Sequence, residues 1–183
     1  MNIKKIGNEF VSNLKEAFPF FQGGYLAEIY IEKDGNIRVF ALRDGKRSQM
    51  LSNDIEGNYF YLYFGDDQIT FGEGNSIIAC QKGYEISVPA KLIFWAYKAD
   101  IYNLFLLVNN FIISNALLQG NTEITINSVN MNAKQIMLDE IGNLNANMKE
   151  GLVLLSYDLT FSAPFVPIID PLCLEEIKIC TDC

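Results

Sequence analysis

Carboxylates are the side chains of this sequence that come closest to forming a chemical site. Asp66 and Asp67 are adjacent in a stretch rich in Gly and Asp, and Glu73 follows closely. Such oxygen ligands suit Ca²⁺, but the segment lacks the D-x-[DN]-x-[DN]-G pattern of a calcium-binding loop. A second acidic pair, Asp139 and Glu140, lies in an irregular segment. We interpret both groups as solvated; a glycosidase-like carboxylate pair stays open, with no further feature in its favour.

Cysteines form the second chemical group. The four are Cys80, Cys173, Cys180 and Cys183, and the last two make the sequence C-T-D-C. A CxxC pair can be a redox couple or half of a metal site. A redox pair should begin a helix after a strand, and a zinc site needs four ligands, which here requires the C-terminal segment to fold back. We favour reduced cysteines that hold no metal.

Histidine is absent from the sequence. Its absence excludes Ser–His and Cys–His dyads and His-ligated metals, and it removes the commonest general base. Neither phosphate-binding pattern, G-x-x-x-x-G-K-[ST] or G-x-G-x-x-G, occurs. We therefore expect no enzyme activity and no cofactor or metal.

A dense aromatic run, NYFYLYF, spans Asn58–Phe64. One interpretation is a stacking platform for bases or sugars, which would make the protein a monomeric ligand-binding module. The other is a strand in the core and at a subunit interface, where tyrosine is enriched. The net charge of -8 repels phosphate backbones and favours the second interpretation. Tyr59, Tyr61 and Tyr63 are therefore candidate interface residues.

Composition indicates one globular domain with extensions. The 183 residues are half hydrophobic and include 13 Phe and 9 Tyr, enough to bury a core. A basic group is interpreted as a solvated hairpin; it comprises Lys33, Arg38, Arg43, Lys46 and Arg47. Asparagines interrupt the most apolar segment, Ile101–Leu118, which is shorter than the roughly 20 residues of a membrane span. With no secretory signal in the first residues, we expect a soluble protein made inside the cell.

Hydrophobic periodicity predicts the elements of the first half. Ile3, Ile6, Phe10, Leu14 and Phe18 recur at helical spacing, and Pro19 ends that helix. An Asp-Gly turn predicts a hairpin. The predicted strands are Tyr25–Glu32, Ile37–Leu42, Asn58–Phe64 and Asn75–Cys80, with a loop at Gly65–Gly74 that holds at most a short strand at Gln68–Phe71.

A long strand running directly into a helix is the main feature of the second half. Tyr84–Lys98 alternates with period two, and Pro89 within it indicates an edge strand or a bulge. Asp100 is placed to cap a helix that reaches Leu118 and is closed by Gly120. Thr122–Asn130 and Leu152–Phe161 are later alternating strands, the second with one apolar and one wet side.

Together these elements predict an α+β fold, a mostly antiparallel sheet covered on one face by two helices. We assign residues 1–164 to this domain and 165–183 to an extended C-terminal arm. The arm, directly after Pro164, contains two prolines and many apolar residues, of which Phe165, Val166, Ile168 and Ile169 are further candidate interface residues.

The order of these elements resembles that of the tail-terminator and tail-completion (neck) proteins of tailed phages. YEISVPAKLIFWAYKADIYNLFLLVNNFI and GLVLLSYDLTFSAP carry the resemblance. It covers residues 1–164, and the aromatic-rich insertion at residues 58–80 departs from the family pattern.

The resemblance implies a structural virion protein without enzyme activity or cofactor. Such subunits form a ring, commonly a hexamer, that caps the tail tube and joins it to the head. The implied partners are other copies of the chain, the tail tube protein and a head-completion or neck protein. Nucleic acid would only pass through the ring, no membrane is involved, and assembly would take place in the bacterial cytoplasm before incorporation into the tail or neck.

Overall fold

The chain folds as two helices and nine strands within the residues that the structure, a computed structural model, describes. These are residues 3–31, 37–43, 46–49, 57–65, 70–78, 81–115, 117–118, 122–136 and 151–165. The helices are α1 (Ile3–Ala17) and α2 (Ile101–Ser114). The strands are β1 (Gly23–Ile31), β2 (Ile37–Arg43), β3 (Lys46–Gln49), β4 (Tyr59–Phe64), β5 (Thr70–Ile78), β6 (Gln81–Tyr97), β7 (Leu117–Leu118), β8 (Thr122–Asn130) and β9 (Leu152–Phe165).

All the described strands belong to one sheet, in the order β3-β2-β1-β4-β6-β9-β8-β7, with β5 also paired to β6. Every pairing among them is antiparallel except that of β1 with β4. The predicted α+β class and the mostly antiparallel sheet are confirmed. The predicted hairpin is confirmed as well, because β1 and β2 pair from Ala27–Ala41 to Ile31–Ile37.

The main core lies between α1, α2 and one face of this sheet. Alternate residues of β4, β6 and β9 point into it, among them Phe60, Phe94 and Phe161. The predicted helical stripe of α1 is confirmed for Ile6, Phe10 and Leu14, which are all buried there. Full burial of one such aromatic side chain stabilises the fold by about 2 kcal/mol relative to its exposure.

Aromatic contacts join the two helices to the sheet. The Phe10 ring of α1 lies 5.6 Å from that of Phe161 in β9 and 6.2 Å from that of Phe111 in α2, measured between centroids. Gly7 allows the close approach of α1, because a Cβ there would lie 2.7 Å from Phe64 Cε2 and 2.9 Å from Leu26 Cδ1.

The strand-into-helix connection forms as predicted, but α2 is shorter than expected. The Asp100 side chain accepts hydrogen bonds from the backbone N–H of Tyr102 and of Asn103, which confirms the N-cap. The predicted end at Leu118 and closure by Gly120 are wrong. The helix ends at Ser114, since Asn115 has φ of -118° and ψ of 30°, outside the helical conformation. Its side-chain amide donates a further hydrogen bond to the Phe111 carbonyl at this end. Leu117 and Leu118 then pair with β8.

Pro89 lies in an interior strand, so the edge position predicted for it is wrong. Its carbonyl accepts from the Gly65 N–H at 3.0 Å, which shows that its backbone groups face β4 and β5. Pairing with β6 stops at Phe64 in β4 and resumes at Thr70 in β5. The register with β9 continues without a shift through Pro89, which pairs with Thr160, so the predicted bulge is not found at Pro89 either. Its missing N–H lies on the side of Gly65, just past the end of β4.

Two other predictions along the sheet need correction. The predicted loop at Gly65–Gly74 is wrong for Gly72–Gly74, which belong to β5. The short strand that we allow at Gln68–Phe71 is confirmed for Thr70 and Phe71, which pair with β6. In β8 the pairing register shifts between Ile126 and Ser128. This bulge turns Val129 onto the core side, whereas strict alternation placed it on the other face.

The predicted domain and arm boundary remains a prediction. β9 extends through Phe165, past its predicted end at Phe161, and residues 166–183 lie outside the described part of the chain.

Candidate interaction surface

The three candidate tyrosines of β4 share the sheet face opposite the helices. Tyr61 is buried, with 1% of its surface exposed, whereas Tyr59 and Tyr63 are half-buried. The rings of Tyr61 and Tyr63 stack with centroids 6.3 Å apart and planes 22° apart. The strand thus has aromatic residues on both faces, as predicted, since Phe60 lies in the main core.

A second, smaller core covers Tyr61. It contains Ile93 and Trp95 of β6, Leu154 of β9, and Ile136 from a helical turn at residues 133–136. Tyr61 therefore packs inside the domain. Whether Tyr59, Tyr61 and Tyr63 line a subunit interface stays a prediction.

The rest of this sheet face is polar. Lys91 Nζ lies 3.7 Å from Asp158 Oδ1, and the Ser128 hydroxyl donates to Asp158 Oδ2 at 2.5 Å. Further along, the hydroxyls of Ser87 and Ser162 lie 2.8 Å apart. The predicted wet side of β9 is thus confirmed from Asp158 to Ser162, while Leu154 and Ser156 nearer its start are buried on that side. These polar side chains form hydrogen bonds and an ion pair with one another, as is typical of a sheet face that contacts solvent.

The outer face of α2 is the large apolar surface of the described domain. Tyr102, Leu106 and Ile113 are 69%, 56% and 63% exposed. At about 100° per residue these three positions lie within roughly 40° of one another around the helix. Leu107, on the flank, is 43% exposed. We call Tyr102, Leu106, Leu107 and Ile113 the α2 outer surface.

Charge distinguishes this surface from the other helix. The sequence of α2, IYNLFLLVNNFIIS, contains no charged residue. The exposed positions of α1 include Lys4, Lys5, Lys15 and Glu16. A solvated helix normally carries charged side chains on its outer face, as α1 does. An uncharged, apolar outer face is instead typical of a protein–protein contact.

Sequence reasoning missed this surface. Helical spacing predicts an apolar face opposite Asn103, Asn110 and Ser114, and the burial of its central residues confirms it. The residues predicted for that face are Ile101, Leu104, Phe105, Val108, Phe111, Ile112 and Leu118. Tyr102, Leu106 and Ile113 in fact share the outer side with those polar residues. The available signal was the absence of charge over Ile101–Ser114, which a helix with one solvated face rarely shows.

One buried hydroxyl connects α2 to the sheet. Tyr157 of β9 donates to the Phe105 carbonyl at 3.2 Å. Burial raises the pKa of Tyr157 well above its ordinary value near 10. The hydroxyl therefore stays protonated and acts as a structural donor.

Most sequence-derived chemical candidates fall outside the described residues or side chains. Asp66, Asp67, Asp139, Glu140 and the four cysteines lie outside the described residues, as do Val166, Ile168 and Ile169. Only the backbone is described for Glu73, for Phe165 and for the basic residues of β2 and β3. Lys33 is not described.

Within the described part of the chain, no three Cys, Asp or Glu side chains come together in a way that would hold a metal ion. No helix among these residues combines the length and apolar character needed to cross a bilayer.

Comparison with known proteins gives no relative: no family model matches the chain, and no curated protein matches it.

Proposed function

We propose that this protein is a self-associating structural subunit that forms a ring at the tail end or neck of a tailed phage. The observation that carries the proposal is the α2 outer surface, an apolar and uncharged helix face on an otherwise acidic chain. Burying such a face against another protein removes apolar area from water, which is the main favourable term in association. A subunit that works only as part of an assembly has this kind of surface.

The position within a virion rests on the resemblance in element order. In that proposal the ring, commonly a hexamer, caps the tail tube and presents a surface to the head or neck. The partners are further copies of the chain, the tail tube protein and a head-completion or neck protein. Nucleic acid passes through the ring without a dedicated binding site, which suits a net charge of -8.

A monomeric module that binds a ligand on the aromatic strand is the other candidate. A stacking platform needs exposed ring faces, and base stacking is worth about 1–3 kcal/mol per base only where the ring is accessible. Tyr61 is 1% exposed, and Phe60 and Leu62 are buried in the main core. The burial of the Phe60 and Tyr61 rings counts against the ligand-binding module.

Native mass spectrometry of the full chain tests the proposal. We expect a closed oligomer, alone at high concentration or together with a tail tube protein. A chain that stays strictly monomeric under both conditions would contradict the ring.

A matched pair of variants tests the contribution of α2. Leu106→Asp should shift the chain toward monomer, because a charge at the centre of an apolar contact is left unpaired. Asn8→Asp adds the same charge at an exposed position of α1 and should leave the oligomer unchanged. Equal oligomer populations in the two variants would show that the contact lies elsewhere.

A further inference from the structure

The α2 outer surface is accessible to a partner, and its dimensions limit which segment can cover it. The helix has 14 residues and is therefore about 21 Å long. Its outer side combines large apolar side chains with the amides of Asn103 and Asn110. Such a surface suits an extended apolar segment, whose backbone can hydrogen-bond to the amides while its side chains contact Leu106 and Ile113.

The chain itself contains a segment of this kind. Residues 166–183, VPIIDPLCLEEIKICTDC, follow β9 and are rich in Val, Ile and Leu. Fully extended, they span about 60 Å at roughly 3.3 Å per residue, more than the length of α2. Their first half, up to Leu174, has Asp170 as its single charge, so it matches the uncharged character of α2.

The direction of β9 determines which copy of α2 the segment meets. Near the start of β9, Leu152 pairs with Tyr97, just before α2 begins. Further along, Tyr157 bonds to the Phe105 carbonyl, and Phe161 contacts Phe10, which contacts Phe111. α2 and β9 therefore run in the same direction over the same part of the sheet.

β9 continues beyond the end of α2. Phe161 lies near the last turns of the helix, and the strand extends to Phe165, paired with Tyr84. The four further residues carry the chain about 13 Å past that point. To cover α2 of its own copy, the following segment would have to reverse direction completely.

The sequence of the segment disfavours an early reversal. Pro164 and Pro167 restrict the residues that precede them to extended conformations. The first turn signal, Asp170-Pro171, comes five residues after Phe165. We therefore expect the chain to continue about 16 Å further in the direction of β9 before it can turn.

We propose that residues 166–183 of one copy lie on the α2 outer surface of a second copy. The inference rests on the proposed self-association, and it names the contact that holds neighbouring copies together. One exchanged segment per subunit, passed from each copy to the next, closes a ring or links a chain of subunits.

The cysteines of the segment allow a direct test in the full chain. In a Cys80→Ser background, Leu106→Cys places a thiol on the α2 outer surface, while Cys173, Cys180 and Cys183 stay in the segment. Lys134→Cys in the same background is the matched control, since Lys134 is exposed on the opposite sheet face. The background without an introduced thiol shows how much the native cysteines link among themselves.

After mild oxidation, Leu106→Cys should give disulfide-linked multimers on a non-reducing gel. Peptide mass spectrometry should join the introduced thiol to one of the three C-terminal cysteines. We expect about tenfold or more of this product relative to Lys134→Cys, because docking holds the thiols at a high effective concentration.

Two results would overturn the inference. A bond between position 106 and the segment within one monomeric chain would show that each copy covers its own helix. Equal linkage in the two variants would show no docking on α2. If native mass spectrometry still finds the closed oligomer in either case, the proposed function stands and only this contact fails; a monomer would remove both.

Discussion

Apolar side chains on the inner and outer faces of α2 have opposite environments. Leu104, Val108 and Ile112 on the inner face are at most 3% exposed, and they pack on the sheet. Leu106 and Ile113, on the outer face, are more than half exposed and lie beside the polar side chains of that face. The apolar residues of the two faces are alike in type and differ in what lies against them. An apolar residue in this helix therefore stabilises the domain on one side and is available for association on the other.

The other helix, α1, differs from α2 in how its outer face is built. α1 lies on the same sheet face as α2, with a buried stripe centred on Phe10 and Leu14 and with lysines and glutamates outside. The domain itself buries the apolar side chains of α1. In the same helix layer, the apolar side chains of α2 are buried on one side of the helix and exposed on the other.

Substituting the two leucines of α2 gives the largest expected contrast. Leu104→Ala should lower the free energy of unfolding by about 3 kcal/mol, through lost burial and the cavity left behind. Leu106→Ala should change it by less than about 0.5 kcal/mol. Urea denaturation of both variants at one low protein concentration measures the difference, because association itself adds apparent stability. Equal losses would mean that the outer face is buried in the folded monomer.

Gly7→Ala tests how closely α1 packs against the sheet. The added methyl would meet Phe64 and Leu26 at less than 3 Å, so the helix must shift. We expect a loss of about 2 kcal/mol, in spite of the better helix propensity of alanine. Asn8→Ala, at an exposed neighbouring position, should be neutral or slightly stabilising. A stabilising Gly7→Ala would show that α1 approaches the sheet less closely.

Tyr157→Phe removes the hydroxyl that joins the inner side of α2 to β9. The loss of its hydrogen bond to Phe105 should cost about 1 kcal/mol at neutral pH.

The pH dependence of this variant has a definite sign. The pKa of Tyr157 is raised in the folded state, so the folded protein holds this proton more tightly than the unfolded chain. The resulting stability is fully present below pH 10 and is lost as the pH rises above 10. The difference between the parent and Tyr157→Phe should therefore shrink in alkaline urea titrations. A difference that grows with pH would contradict a buried, protonated hydroxyl.

The smallest expected effect concerns the turn that sets where α2 begins. Lys98 has φ of 56°, a left-handed conformation that costs energy for a residue with a Cβ. Lys98→Gly should raise the free energy of unfolding by about 0.5 kcal/mol, the relief of this cost less the greater entropy of glycine in the unfolded chain. Ala99→Gly, one residue later, should instead be destabilising. Thermal unfolding of the two variants distinguishes these signs.

Much of the fold followed from the sequence because local patterns agreed with the final packing. Period-two alternation in Tyr84–Lys98 placed Leu92 and Phe94 together, and both lie in the main core. The cap at Asp100 was predictable because it depends on its own side chain and the next few N–H groups. The register shift in β8 was not, since a bulge depends on how the partner strand is aligned.

The candidate interaction surface, too, could be predicted from the sequence only in part. Tyr59, Tyr61 and Tyr63 were chosen by residue type, but type alone does not reveal that Ile136 and Trp95 cover Tyr61. Helical spacing marks the inner face of α2 correctly, since Leu104, Val108 and Ile112 are buried. The same spacing does not show that apolar residues also lie exposed beside the asparagines, as Tyr102, Leu106 and Ile113 do.

The sequence by itself determined the α+β class, most strands, the helix start and the absence of histidine chemistry. These follow from side-chain periodicity, capping and residue inventory, which are local properties. Only the tertiary structure decided which apolar residues stay exposed, because exposure depends on what packs against each face. One sheet covers one side of α2, and its other side, with Tyr102, Leu106 and Ile113, is where we expect the next copy to bind.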